Sequence, residues 1–417
     1  MFCNSTITDL FLFVFTQLIL HYHLFLYVFS NQIGIVEGKM KYKRPCVKNI
    51  YPIYRLNDNV FRIGAQLNIT TEFEDPTDQL WNLAIRLDGR EFERVVDELT
   101  GIYPELTVDD IEFGVELLSQ EGLIEEYGEN DTIDDRYMSN VNYFRRYLDD
   151  YNQSLNVQKK INECSVLLLG LGGGGSNVLT LLAGLGPKKL TVVDYDRVEK
   201  NNFGRQMLYK EDDIGKLKTE VAKREFSKMN SSVELTVVNK KIDSSSDVYK
   251  LIESSNADVV ICAIDEPPFI AQRRVNEAIV KAGVPCIFGG SQVSRGRVYS
   301  VIPKVTGCFD CLNIHYTKTS PKFIEQFVGF NKSHFNPPTI AYGPAIFQLS
   351  GAIVDEFVKI FTNYYDPMSL STQFEINYET GESFKHKPWP RYADDCPTCG
   401  TGKISNWEIF SYYSEEY

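Results

Sequence analysis

"SVLLLGLGGGGSNVLTLL", Ser165 to Leu182, sets four consecutive glycines between two apolar runs. The first run has the length of a buried strand, and the second continues into a helical pattern. Gly170, Gly172 and Gly175 between them fit G-x-G-x-x-G, with Gly173 inside the motif, in the strand–turn–helix context that gives the spacing its meaning. Glycines let the main chain approach phosphate oxygens, and the first turn of the helix offers unpaired N–H groups at the positive end of its dipole. The turn reads as a phosphate cradle. It does not say whether the nucleotide is NAD or ATP.

Outward from this turn, short apolar strands alternate with amphipathic helices from Cys164 to about Cys286. The strands are "SVLLLG", "KLTVVD", "ELTVVNKKI", "ADVVICAID" and "VPCIFGG"; "SNVLTLLAGLG", "KTEVAKREFSKMN", "SDVYKLIESSN" and "FIAQRRVNEAIVKAG" separate them. That alternation predicts an α/β domain with a Rossmann-like, doubly wound and mostly parallel sheet. Asp194 ends the second strand, placed to accept hydrogen bonds from a ribose. Just beyond it come Asn202, Arg205, Gln206 and Lys218. A dehydrogenase has no use for two cations here, whereas a triphosphate does, because Arg and Lys neutralise phosphates and the charge developing on them in nucleotidyl transfer. Asp265 closes a later strand at the carboxyl edge of the sheet, where a carboxylate can hold Mg²⁺ against phosphates.

The 417 residues allow two or three domains, and the balance of 43 Lys+Arg against 56 Asp+Glu, net −13, disfavours a general nucleic-acid binder. Of nine cysteines, Cys308/Cys311 and Cys396/Cys399 form two close pairs. In a chain of this size they read as metal ligands in a reducing, cytoplasmic compartment rather than as disulfides.

The order G-x-G-G-x-G, D-x-D (Asp194, Asp196), N-x-x-R-Q, D-I-G-x-x-K and a later Asp resembles the ThiF/MoeB/HesA superfamily of adenylating enzymes, related to ubiquitin-activating enzymes, over roughly Arg136 to Gly400. The resemblance implies a homodimer that uses Mg²⁺ and ATP to attach AMP to the C-terminal carboxylate of a small protein or peptide. Asp194 and Asp196 would bind the nucleotide, Arg205, Gln206 and Lys218 its phosphates, and Asp265 the magnesium; Asn202 would order the site. The four paired cysteines match the family's structural Cys₄ zinc site, a set with no open coordination position. Two departures stand out. No cysteine occurs from Leu312 to Asp395, where related activators carry a thioester-forming one. "RYMSN" has Ser139 where the family has an arginine reaching ATP in the partner subunit; Arg136 matches the first arginine, and Arg145 or Arg146 is a candidate substitute.

In front of this domain, residues 47–128 predict a small winged-helix α+β domain. "NIYPIYRL" and "NVFRIGAQLNITTEF" alternate as strands about "NDN"; three helical segments follow, the last with Thr107 as N-cap and Ile111, Val115 and Leu118 on one face; "LIEEY" returns as a strand. Its acidic helices argue against DNA, and its sheet edge suits a peptide added as an extra strand. "GENDTIDD" is a linker, and residues 129–163 read as a helical linker and dimer arm before the adenylation domain at 164–410. The arrangement resembles the precursor-peptide recognition element of peptide natural-product pathways and, with "LYKEDDIGKLKTEVAKREF", "KVTGCFDCL" and "HFNPPTIAYGP", the microcin C-type adenylyltransferases. It implies adenylation of a short ribosomally made peptide; the alternatives are a non-catalytic leader-peptide presenter and a sulfur-carrier adenylyltransferase. The segment after Cys311 is expected to cross the site as a loop, with His315 a candidate contact. Leu10–Phe29 is apolar and about long enough to span a bilayer, but His21 and His23 interrupt it. It reads as upstream of a true start at Met40, with a membrane anchor or signal peptide as the alternatives.

Overall fold

The chain divides between Tyr127 and Gly128 into two units. The computed structural model describes residues 40–65, 70–128, 133–320, 322–332 and 340–413. The apolar stretch Leu10–Phe29 lies outside these. No helix among the described residues is long and apolar enough to cross a membrane.

The first unit runs β1 (Pro45–Val47), β2 (Ile53–Asn57), β3 (Val60–Ile63), β4 (Thr71–Glu74), α1 (Gln79–Ala84), α2 (Phe92–Ile102), α3 (Val108–Gln120) and β5 (Ile124–Glu126). β2, β3 and β4 form an antiparallel sheet turned at Asp58-Asn59. Phe61 and Phe73 stack across it at 5.1 Å, and Trp81 meets Phe61 edge-on at 5.5 Å. Ile111, Val115 and Leu118 bury the inner face of α3. Thr107 caps that helix: its hydroxyl accepts from the Asp110 N–H while the Asp110 carboxylate accepts from the Thr107 N–H. Replacing Thr107 with alanine should destabilise this unit by about 1 kcal/mol, seen as a lower thermal midpoint. The unit begins earlier than residue 47. β5 pairs with β1, ahead of that point, and the buried Tyr42 ring bonds through its hydroxyl to Ser119 Oγ at 2.6 Å.

The second unit opens with a 3₁₀ turn (Asp135–Tyr137), α4 (Met138–Phe144) and α5 (Tyr151–Glu163). These are two helices rather than one, because Asp150 turns its carboxylate onto the N–H groups of Asn152 and Gln153 and starts α5 afresh. They also do more than link: Phe144, Val157 and Ile161 are buried in the core of the domain.

The Rossmann-like, doubly wound core follows as β6 (Ser165–Leu169), α6 (Gly173–Leu185), β7 (Lys189–Asp194), α7 (Lys218–Met229), β8 (Glu234–Asn239), α8 (Ser245–Ser255), β9 (Val259–Cys262), α9 (Ile270–Ala282) and β10 (Cys286–Ser291). Beyond it come β11 (Arg295–Val301), α10 (Phe309–Thr319), α11 (Phe323–Lys332), α12 (Gly343–Thr362), β12 (Phe374–Asn377) and β13 (Ser383–Lys385). The eight strands lie in the order β13-β12-β11-β10-β9-β6-β7-β8. The five from β10 to β8 are mutually parallel, and the other three extend the sheet antiparallel. Val166 to Leu169 are all buried, as a strand covered on both faces requires. Leu168, Val192 and Ile261 face α6, α7 and α12; Leu167, Val193 and Val260 face α8, α9 and α10. The winding reverses between β6 and β9, so their carboxyl ends open a crevice. The segment after Cys311 is helical through α10 and α11, not a loop, and residues 333–339 lie outside the described ones. His315 accordingly sits on α10, its Nδ1 3.1 Å from the Tyr392 hydroxyl.

Candidate active site and metal centre

The glycine turn lies at that crevice. Gly170 follows β6 with φ +97°, and a Cβ there would stand 2.7 Å from the Ala263 carbonyl oxygen at the end of β9. A Cβ on Gly175 would overlap the Gly170 carbonyl oxygen. These two glycines hold the turn against the sheet. At Gly172, the N-cap of α6, and at Gly174 a Cβ would meet nothing within 4 Å, so the cradle is open where a phosphate would approach.

Asp194 anchors this turn. Its Oδ2 accepts from the Leu171 N–H at 2.6 Å, and Oδ1 accepts from the Asp196 N–H at 2.7 Å. Burial pushes its pKa up, opposed by the nearby Lys218 ammonium and the two N–H donors. Each oxygen keeps a lone pair, so anchoring the turn and accepting from a ribose hydroxyl are compatible. Lys218 is buried at the start of α7, and its Nζ meets Asp196 Oδ2 at 2.9 Å. Arg205 packs its side-chain carbons against Gly173, 3.3 Å from where a Cβ there would stand, and its Nη1 donates to the Asn201 carbonyl at 2.9 Å. Asn202 closes the short 3₁₀ turn before it by accepting from the Glu199 N–H. Gln206 is 2% exposed, and its Oε1 has no partner among the described residues. A buried amide acceptor of that kind needs a donor from water or a ligand. Asp265 follows β9 on the rim of the crevice. Desolvation by surrounding protein and the Glu266 carboxylate raise its pKa, and Arg205 opposes the shift. Asp265 and the adjacent Glu266 are exposed, and one or two such carboxylates beside substrate phosphates are donors that suit Mg²⁺.

The structure brings the glycine turn, Asp194, Asp196, Arg205, Lys218 and Asp265 to one crevice, while Gln206 follows Arg205 in the chain with its side chain buried. It also adds two supports from distant chain. Tyr209 donates its hydroxyl to the Leu171 carbonyl at 2.9 Å, and Ser350 of α12 donates to the Gly174 carbonyl at 3.2 Å. Tyr209 lies within the quoted "LYKEDDIGKLKTEVAKREF" segment, whereas Ser350 belongs to no motif of the sequence. Arg145 and Arg146 are engaged locally: Arg145 is buried over the Tyr151 ring, and Arg146 lies over Tyr143 and Tyr147.

Cys308, Cys311, Cys396 and Cys399 gather with their sulfurs all within 4.8 Å of one another. The Cys308–Cys396 and Cys311–Cys399 separations are 3.5 and 3.4 Å, and Cys308–Cys311 is 4.0 Å. A tetrahedron with Zn–S bonds of about 2.3 Å has edges of about 3.8 Å, so the set fits zinc. Main-chain N–H groups of Tyr392 and Cys399 point at the Cys311 and Cys396 sulfurs. Behind the sulfurs, buried Asp310 accepts from Thr398 Oγ1 at 2.6 Å and pairs with Arg273, tying the two cysteine segments together.

Residues 144–398 match the ThiF family. The sulfur carrier protein ThiS adenylyltransferase of Bacillus subtilis is 32% identical over 250 residues, which is 58% of this chain and 67% of that protein. The adenylyltransferase and sulfurtransferase UBA4 of Kluyveromyces lactis is 27% identical over 269 residues, 63% of this chain and 56% of its own length. Among solved structures, E. coli MccB with ATP superimposes with a TM-score of 0.69 at 23% identity, over 85% of this chain and 99% of MccB. MccB, a microcin C7 biosynthetic enzyme, has also been solved in complex with N-formylated MccA, with the same TM-score of 0.69. This likeness is one of fold. Its 85% coverage exceeds what residues 128–417 alone could supply, so it takes in part of the first unit.

Proposed function

The chain belongs to the ThiF family, and from that premise we propose that it is an ATP-dependent adenylyltransferase acting on the C-terminal carboxylate of a short, ribosomally made precursor peptide. The crevice that gathers Arg205, Lys218 and Asp265 around an open glycine turn carries this reading. A carboxylate oxygen of the peptide attacks the α-phosphorus of ATP. The new P–O bond forms as the bond to the bridging oxygen of the β-phosphate breaks, and pyrophosphate leaves with the electron pair. Gly172 to Gly175 and the first turn of α6 cradle phosphate oxygens, while Asp194 and Asp196 bind the ribose side of the nucleotide. Arg205, Gln206 and Lys218 contact the phosphates, with the two cations stabilising charge that builds on departing pyrophosphate. Magnesium supplies further neutralisation when Asp265 holds it. Zinc on Cys308, Cys311, Cys396 and Cys399 is structural, since four thiolates leave no open position.

The first unit is the peptide-binding, winged-helix module in this reading, and the protein works as a homodimer in the cytoplasm. Ser139 replaces the arginine expected to reach the partner's nucleotide, and the local engagement of Arg145 and Arg146 argues against either replacing it. Without a cysteine between Leu312 and Asp395, no thioester relay through that segment follows adenylation. A sulfur-carrier role leaves the first unit unused, and the MccB likeness extends into that unit.

The test is ATP–pyrophosphate exchange by the full chain, with short peptides encoded beside its gene and with sulfur-carrier proteins. Exchange that depends on a peptide is expected. Peptide binding without exchange would indicate a non-catalytic presenter, and exchange only with a sulfur carrier would move the substrate class.

A further inference from the structure

Glu375 on β12 is fully buried, and three cationic or protonatable groups converge on it. Arg295 Nη1 meets Oε1 at 2.5 Å; Arg297 Nε and His386 Nε2 meet Oε2 at 2.7 and 2.8 Å. One carboxylate needs only one guanidinium, so even with His386 neutral this cluster carries a surplus positive charge. Each guanidinium has five N–H groups. Apart from those directed at Glu375, the side-chain N–H groups of Arg295 and Arg297 have no partner among the described residues. Their side chains are 43% and 31% exposed. Glu375 is the positioning group: the cations hold its pKa down to about 2, so it fixes both guanidiniums as an anion throughout the physiological range.

The placement ties this surplus to the adenylation crevice. Arg295 begins β11 beside Gly296, which pairs with Ser291 at the carboxyl end of β10, and β10 pairs with β9. The two arginines therefore stand at the sheet edge that carries the glycine turn and Asp265. They lie two strands from β9, or about 10 Å at ~4.8 Å per strand. Phe384, 5.6 Å from the Arg295 guanidinium, gives the cluster an apolar wall. An extended peptide advances about 3.3 Å per residue. A chain whose terminal carboxylate lies over β6 and β9 thus brings a side chain about three residues upstream to this point.

We propose that Arg295 and Arg297 form a specificity subsite for an acidic side chain of the substrate peptide, about three residues before the carboxylate that is adenylated. This rests on the peptide-adenylation reading given above. A carboxylate fits the spare donors as a charge-assisted, bidentate acceptor, whereas a lysine or arginine at that position would face two guanidiniums. Charge-assisted hydrogen bonds of this kind are each worth roughly tenfold or more in discrimination.

The probe is a pool of random-sequence heptapeptides with free C-termini, incubated with ATP and the full chain, and the adenylated members are read by mass spectrometry. Enrichment of Asp and Glu by roughly tenfold about three residues from the terminus is expected, with loss of that enrichment in Arg295→Gln and in Arg297→Gln. Zinc content and thermal midpoint check that each variant is folded. Arg295→Glu provides a gain-of-preference readout that a misfolded protein cannot give, since it should shift the selected residue toward Lys and Arg. Adenylation with no acidic preference, or a preference unchanged in all three variants, overturns the subsite and leaves peptide adenylation standing. No adenylated member at all, with pyrophosphate release absent, overturns the adenylation reading and the subsite with it.

Discussion

Lys218→Ala should lower peptide-dependent ATP–pyrophosphate exchange by about 10²–10³-fold while leaving peptide binding to the protein unchanged. Lys218 is buried at the start of α7 and reaches across to Asp196, close to the anchored Asp194. A preorganised ammonium there needs no reorganisation when charge develops on pyrophosphate, and water replacing it supplies far less stabilisation. Arg205→Ala should fall in the same range, because its side chain packs against Gly173 at the mouth of the cradle. Peptide binding followed by fluorescence anisotropy separates the two roles assigned to the units. Equal loss of binding and exchange would show that the crevice also holds the peptide in place, against the division of labour proposed.

The second large effect concerns the metal. The purified protein should carry about one zinc per chain, and Cys396→Ser or Cys308→Ser should abolish that zinc and most of the cooperative unfolding transition. Both sulfurs are buried, and without a metal four thiols would crowd one another with nothing to bind. Structural zinc contributes folding free energy directly, on a scale of about 10 kcal/mol or more in small zinc modules. Whole domains are stable by only about 5–15 kcal/mol. Zinc quantification and thermal melts with and without a strong chelator check this. An unchanged melt after zinc removal would refute a structural role. Thr398→Val should weaken zinc retention more mildly, since it removes only the Asp310 hydrogen bond behind the site.

How much of this was legible beforehand depends on whether the physics is local. Unbroken apolar runs such as Val166–Leu169 announce buried parallel strands, and Thr107 with Asp110 three residues later announces a helix start. The paired spacing of Cys308-x-x-Cys311 and Cys396-x-x-Cys399 is similarly local, although which pairs meet is not. The break between α4 and α5 is not marked in the sequence, because the Asp150 cap that restarts the helix is one polar residue among several. α10 departs from the expected loop for another reason. Asn, Thr and Lys in it look loop-like, and burial of Leu312 and Ile314 in the core outweighs that propensity. The convergence of Arg295, Arg297 and His386 on Glu375 depends on strand register and on a turn into β13, neither of which composition encodes. Asp194 was legible as a polar residue at a strand end, but its two main-chain hydrogen bonds were not.

The glycine turn has a consequence for folding itself. Its shape is not a property of its own sequence. Ala263 presses on Gly170 from the neighbouring strand end, and Ser350 reaches Gly174 from 176 residues away. An unfolded or half-assembled chain therefore offers ATP no cradle, and the nucleotide is a ligand of the finished domain alone. By linkage, a ligand at a hundred times its dissociation constant deepens the native state by about 2.7 kcal/mol. ATP would then act on this protein as reactant and as the clamp that keeps it folded.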